Sequence, residues 1–116
     1  MSSPFSTPSG EELFEDRKKA FEAKFRREQE AVFRINTRRD RLFGLVVAET
    51  LGLAGDKAEL YARAMVEAVI AGGTALTKAG ADLRDKGLAV DEAVLRRQWV
   101  EAEARARIDI LGPDAA

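Results

Sequence analysis

No proline interrupts the chain between Pro8 and Pro113. Proline removes a backbone donor and clashes with the preceding helical turn, so its absence leaves nearly the whole length open to helix. Residues 11–51 are the extreme case, with Gly44 as their one glycine. Their apolar side chains fall at Phe14, Phe21, Phe25, Val32, Ile35, Leu42 and Val46, in steps of 7, 4, 7, 3, 7 and 4. That spacing puts them on one face of a helix. Up to residue 41 the positions between are dense in charge, which leaves a narrow stripe on a polar helix. From Leu42 the pattern changes to Leu42-Phe43-Gly44-Leu45-Val46-Val47-Ala48, apolar nearly all round, as expected of a buried helix.

The remaining punctuation is helical too. Ser9-Gly10-Glu11-Glu12 fits a capping box, with Ser9 as N-cap and Glu12 three residues on. Leu51-Gly52-Leu53-Ala54-Gly55-Asp56 reads as a helix stop followed by an N-cap at Asp56. A second helix is expected over residues 57–71, with Tyr61, Met65, Ala68 and Val69 on one face. Thr74 caps a third over 75–86, which ends at Gly87. Asp91 caps a fourth over 92–110, with the stripe Leu95, Trp99, Ala102, Ala106 and Ile110. No strand signal, internal repeat or low-complexity tract is present. The expectation is an all-α fold: a small four-helix bundle with a long, partly projecting or mobile N-terminal helix. Residues 1–10 are expected as a disordered tail, 11–41 as a basic and aromatic helix, 42–112 as the bundle core, and 113–116 as a short tail.

Composition narrows the chemistry. The chain has 116 residues, 46% of them apolar, enough for one packed core. There is no cysteine, which excludes disulfides, thiolate zinc sites and a cysteine nucleophile. There is no histidine, so the usual general base near neutral pH is missing, as is the commonest metal ligand. We therefore expect no catalytic residue, no metal and no tightly held cofactor; weak nucleotide binding stays open. Met1-Ser2-Ser3-Pro4-Phe5-Ser6-Thr7-Pro8 lacks the basic and apolar regions of a secretory signal. The most apolar window, residues 42–55, is too short to span a bilayer. A soluble, cytoplasmic protein is expected.

The net charge of -1 hides an asymmetry. Residues 15–41 carry ten basic and six acidic side chains, a net of +4, and the rest of the chain nine and fourteen, a net of -5. Phe14, Phe21 and Phe25 share a face in the basic segment, with Arg17, Lys18, Lys24 and Arg26 around them and Glu22 beside them. One reading is an ordinary amphipathic helix packed on its own bundle. The other is a docking helix that lays an apolar stripe into a groove on a partner, since aromatics and arginine anchor such contacts. An exposed phenylalanine stripe could also pair with itself.

Arg38-Arg39-Asp40-Arg41 could contact phosphates, but a charge run on a helix is most often a solvated face. An excess of +4 interleaved with acidic residues is too small for a nucleic-acid binder, and the same dilution argues against a membrane-surface helix. Ala71-Gly72-Gly73-Thr74 lacks the spacing of a phosphate loop and reads as a helix–helix turn. The carboxylate pairs Asp82 with Asp85 and Glu101 with Glu103 have no metal-loop spacing. Tyr61 and Trp99 lie on apolar stripes, so core packing is expected of both.

Two segments resemble a known family. Phe14-Glu15-Asp16-Arg17-Lys18-Lys19-Ala20-Phe21-Glu22-Ala23-Lys24-Phe25 is similar to the N-terminal signature of the zeta inhibitor subunit of alphaproteobacterial F-type ATP synthases. Arg38-Arg39-Asp40-Arg41-Leu42-Phe43-Gly44-Leu45 resembles a second stretch of that family, and a weaker likeness runs on through Gly55-Asp56, Tyr61-Ala62-Arg63, Val66 and Asp91-Glu92-Ala93. The likeness covers about residues 12–110. It implies a four-helix bundle whose N-terminal segment binds the catalytic head of the synthase and blocks rotation in the hydrolysis direction. It also implies Phe14, Phe21 and Phe25 as apolar anchors, Arg17, Lys18, Lys24 and Arg26 as partners of carboxylates on the head, and Glu22 as the partner of a cation. The alternative is a relative that does not inhibit and acts as a nucleotide-binding or sensor bundle.

Overall fold

The computed structural model describes residues 9–115, so residues 1–8 of the tail expected over 1–10, and the last residue, lie outside the described part. The described residues form four α-helices and no strand: α1 Gly10–Thr50, α2 Asp56–Ile70, α3 Ala75–Asp85 and α4 Glu92–Leu111, followed by a 3-10 turn, Pro113–Ala115. The chain divides into two units, Met1–Val32 and Phe33–Ala116. Helix α1 contributes to both.

Local chemistry sets the helix ends. At the start of α1 the Ser9 Oγ accepts from the Glu12 N–H at 3.2 Å, and the Glu12 carboxylate accepts from the Ser9 N–H at 3.1 Å. This is the reciprocal pair expected of a capping box. Thr74 Oγ1 accepts from the Thr77 N–H, and the Asp91 carboxylate from those of Ala93 and Val94, so both expected caps form. Helix α1 ends with Leu53 N–H donating to Ala48 and Gly52 N–H to Glu49, and α3 ends the same way at Gly87 and Leu88. The expected Asp56 cap does not form. Gly55 is the N-cap of α2, at φ 58, and Asp56 is the first helical residue, with no side-chain capping bond. The chain turns there through a backbone conformation that glycine adopts at little cost. Asp56 and Glu59 instead lie in the first turn, where the helix dipole favours negative charge.

The second unit holds the core. Phe43, Val47 and Leu51 of α1 and the turn after it meet Met65 of α2, Ala75, Ala79 and Leu83 of α3, and Leu95 and Ala102 of α4. Within residues 42–48, expected to be buried nearly all round, only one face of α1 is covered. Phe43, Gly44, Val47 and Ala48 are buried, whereas Leu42 is half-buried and Val46 exposed. The stripe through Phe14, Leu42 and Val46 misses that face because of helical drift. Steps averaging 3.5 residues slip by about 20° per heptad against a 3.6-residue helix. Over the four heptads from Phe14 to Leu42 that drift amounts to nearly one residue position.

Gly44 fixes how closely α1 and α2 approach. A Cβ added there would sit 2.8 Å from the Ala62 Cα and 3.1 Å from the Met65 Cβ. Backbone occupies that space, so a side chain fits only if the helices separate. Gly44→Leu is therefore expected to destabilise the bundle by about 2 kcal/mol or more, because overpacking outweighs the roughly 1 kcal/mol of helix propensity regained. Urea denaturation measures this, and an unchanged midpoint would contradict the close crossing.

Candidate functional site: an exposed aromatic row and a buried charge cluster

The first unit, within the described residues, is a single amphipathic stretch of α1 that lacks a covered apolar face. Phe14 is 66% exposed, Phe21 70% and Phe25 54%. Arg17, Lys18, Glu22, Lys24 and Arg26 are exposed as well. All eight residues singled out from the sequence thus lie on one exposed helix segment. Helical spacing brings Phe14, Phe21 and Phe25 onto one face, with Lys18 between them. The steps of 7 and 4 residues spread the phenylalanines over about 16 Å of helix. Leu13 of this unit, and Phe33 at the start of the second, are also exposed apolar residues, lie off the spacing rule and were not singled out by it. The charged residues interact weakly with one another. Lys24 and Glu28 approach at 4.0 Å as an exposed i, i+4 pair, worth tenths of a kcal/mol.

The second unit carries a polar cluster that sequence spacing alone did not single out. Asp40 is 2% exposed. Its carboxylate accepts from Arg39 Nε at 2.9 Å, Arg39 Nη2 at 3.2 Å and the Trp99 indole N–H at 3.3 Å. Arg39 Nη1 also donates to Asn36 at 3.1 Å and to Glu103 at 3.2 Å, and the guanidinium lies 4.4 Å from the centre of the Trp99 ring. Burial disfavours the charged guanidinium, but hydrogen bonds and charge from Asp40 and Glu103 outweigh it and hold its pKa above the ordinary value. A planar donor fork facing a carboxylate and stacked on indole suits arginine and not lysine. The cluster joins the α1 part of this unit to α4.

The neighbouring arginines are engaged in the same way. Arg38 donates to Asp109 of α4 at 2.8 Å, and Arg41 to Glu59 of α2. The Asp109 carboxyl is held below the usual range, chiefly by the hydrogen bond from Arg38, which outweighs the opposing effect of burial, with the charges of Arg105 and Arg38 adding to it. The run Arg38-Arg39-Asp40-Arg41 is therefore neither a free phosphate-binding surface nor a plain solvated face. It fastens α1 to two other helices. A signal for this was present in the sequence. Arg39 occupies an apolar-stripe position between Ile35 and Leu42, and α4 carries the chain's one tryptophan.

Tyr61 is half-buried, as core packing suggested, but it also makes a polar contact: its hydroxyl donates to Asp82 of α3 at 2.7 Å. Burial first, then the bond to Asp82, pushes the phenol pKa up, so the hydroxyl stays protonated as a donor. A concavity of about 630 Å³ is lined from all four helices and the α2–α3 turn, with Asp40, Thr74, Arg84, Arg96 and Trp99 on its wall. Among the described residues no group of three acidic side chains is placed to hold a metal, and no helix is long and apolar enough to cross a membrane.

Neither the curated proteins nor the solved structures contain a significant match. The family model described as ATPase inhibitor subunit zeta matches residues 11–109, from the first turn of α1 to the last turn of α4. A match over so much of the chain, on an all-helical structure with a long first helix, places this protein in the ATPase inhibitor subunit zeta family.

Proposed function

We propose that the chain inhibits ATP hydrolysis by the F-type ATP synthase, with the N-terminal helix, residues 11–41, bound to the catalytic head. The observation that carries this reading is the uncovered row Phe14, Phe21 and Phe25. Aromatic side chains held in water on a helix are the material of an interface centre. Membership of an inhibitor family supports the ATP synthase as the partner. Arg17, Lys18, Lys24 and Arg26 flank the row and would meet carboxylates on the head, with Glu22 opposite a cation. The block is steric, by a helix held at a moving interface, and requires no catalytic residue. The site of action is the cytoplasmic face, where the head resides. The second unit serves as the anchor, since it has its own core and its own polar fastening.

The direct test is co-elution with purified head from the same source. The full chain is expected to bind, and a version lacking residues 1–26 to lose most of its affinity. Equal binding by both would move the interface to the bundle. A second reading, nucleotide binding by the bundle, draws support from the concavity beside Thr74, Arg84 and Arg96. Shifts of these residues' amide resonances on adding ATP or ADP without the head would favour it.

A further inference from the structure

We propose that the exposed stripe of the first unit also takes a second copy of this chain, paired antiparallel in one register. The seam runs through Phe14, Lys18, Phe21, Phe25, Glu28 and Val32, in steps of 4, 3, 4, 3 and 4. That alternation is the repeat with which two helices pack along a common line. All six residues are exposed, Val32 at 49%.

The order of side chains along the seam fixes the partner. About a two-fold axis, residues of two antiparallel copies face each other when their numbers have a constant sum. With Phe21 opposite Phe25 of the second copy, Phe14 falls opposite Val32 and Lys18 opposite Glu28. Every apolar residue then meets an apolar one, and the two charges that interrupt the stripe meet each other. Sliding the copies to the next repeat in either direction sets Lys18 against Phe21 or Glu28 against Phe25. A charge facing a ring across a closed seam is left desolvated without a partner. One register is therefore favoured, as polar seam residues commonly achieve in paired helices.

The surroundings agree with this pairing. Lys18 has no carboxylate within ion-pair distance among the described residues, and Glu28 has only the long contact to Lys24. The seam stops where its occupancy would conflict with the bundle, because the next apolar residue, Ile35, is 5% exposed in the second unit. Outside the seam, Glu22 flanks Glu22 of the second copy and Lys24 flanks Lys24, and these like charges weaken the pairing. The paired stretch is short, about 27 Å by helical rise. Association is therefore weak and concentration-dependent. Resting on the inhibitor reading, one consequence is that a paired chain hides the row that meets the head, so self-pairing and inhibition compete.

Sedimentation of the full-length chain over a concentration series tests the pairing without the head. The unaltered chain is expected to shift from monomer to dimer as concentration rises. Lys18→Glu alone, or Glu28→Lys alone, sets like charges together twice per pair and should weaken association by about tenfold or more. Mixing these two variants restores opposite charges at both positions, so the mixture should associate at least tenfold more tightly than either alone. Circular dichroism and thermal melting establish that both variants remain folded. A chain that stays monomeric at its highest soluble concentration overturns the proposal. Single variants that associate as the unaltered chain does, or a mixture no tighter than its components, overturn it too. None of those results bears on binding to the head, which is measured separately.

Discussion

Phe21→Ala combined with Phe25→Ala is expected to remove most of the inhibition of ATP hydrolysis while leaving the bundle intact. The two rings are one helical turn apart on one face and more than half exposed. Their removal takes nothing from the core, so the melting temperature should move little, as for other surface changes. In a bound state the same rings would be enclosed. Truncation of a central aromatic anchor costs about 2–4 kcal/mol, or roughly thirty- to a thousandfold in affinity. The inhibition curve should shift to correspondingly higher concentration. An unshifted curve would separate the aromatic row from the function, whatever happened to stability.

The opposite behaviour is expected at Asp40. Asp40→Ala leaves the Arg39 guanidinium, whose side chain is 11% exposed, without its bidentate partner, and leaves the Trp99 N–H without an acceptor. Breaking a buried pair from one side costs about 3–5 kcal/mol, because the remaining charge stays desolvated. Against a total of about 5–15 kcal/mol, that is a large share of the stability. The melting temperature should fall by more than about 10 °C. Arg41→Ala serves as the contrast. Its pair with Glu59 is exposed on both sides and should be worth about 1 kcal/mol or less. If the two variants melted alike, Asp40 would be an ordinary surface charge and the cluster would not hold α1 in the bundle.

These two sites differ in how far the sequence announced them. The four helices were legible because their signals are local. Ser9, Thr74 and Asp91 cap as expected, and Gly52 and Gly87 stop their helices. Phe14, Phe21 and Phe25 were legible as a face by spacing alone. Their exposure was not, since a packed amphipathic helix has the same periodicity. What distinguishes the two cases is whether another element covers the stripe, and that is a tertiary fact. Residues 42–48 were legible as a buried stretch, but not which of them face the core: Phe43, Gly44, Val47 and Ala48 do, while Val46 stays exposed. Asp40 was obscured by its neighbours. Three arginines in four residues look like a solvated surface until Trp99, Glu103 and Asp109 are brought opposite them from about 60–70 residues away. Gly44 was visible only as a gap in a helical run. Its close approach to Ala62 depends on the crossing of two helices.

The measurement that bears most directly on the inhibitor reading is ATP hydrolysis by the purified catalytic head, titrated with the full chain and, in parallel, with a chain lacking residues 1–26. Inhibition by the full chain and its absence with the shortened one is the predicted result, with the aromatic row as the active element. Equal inhibition by both chains, or by neither, would contradict it.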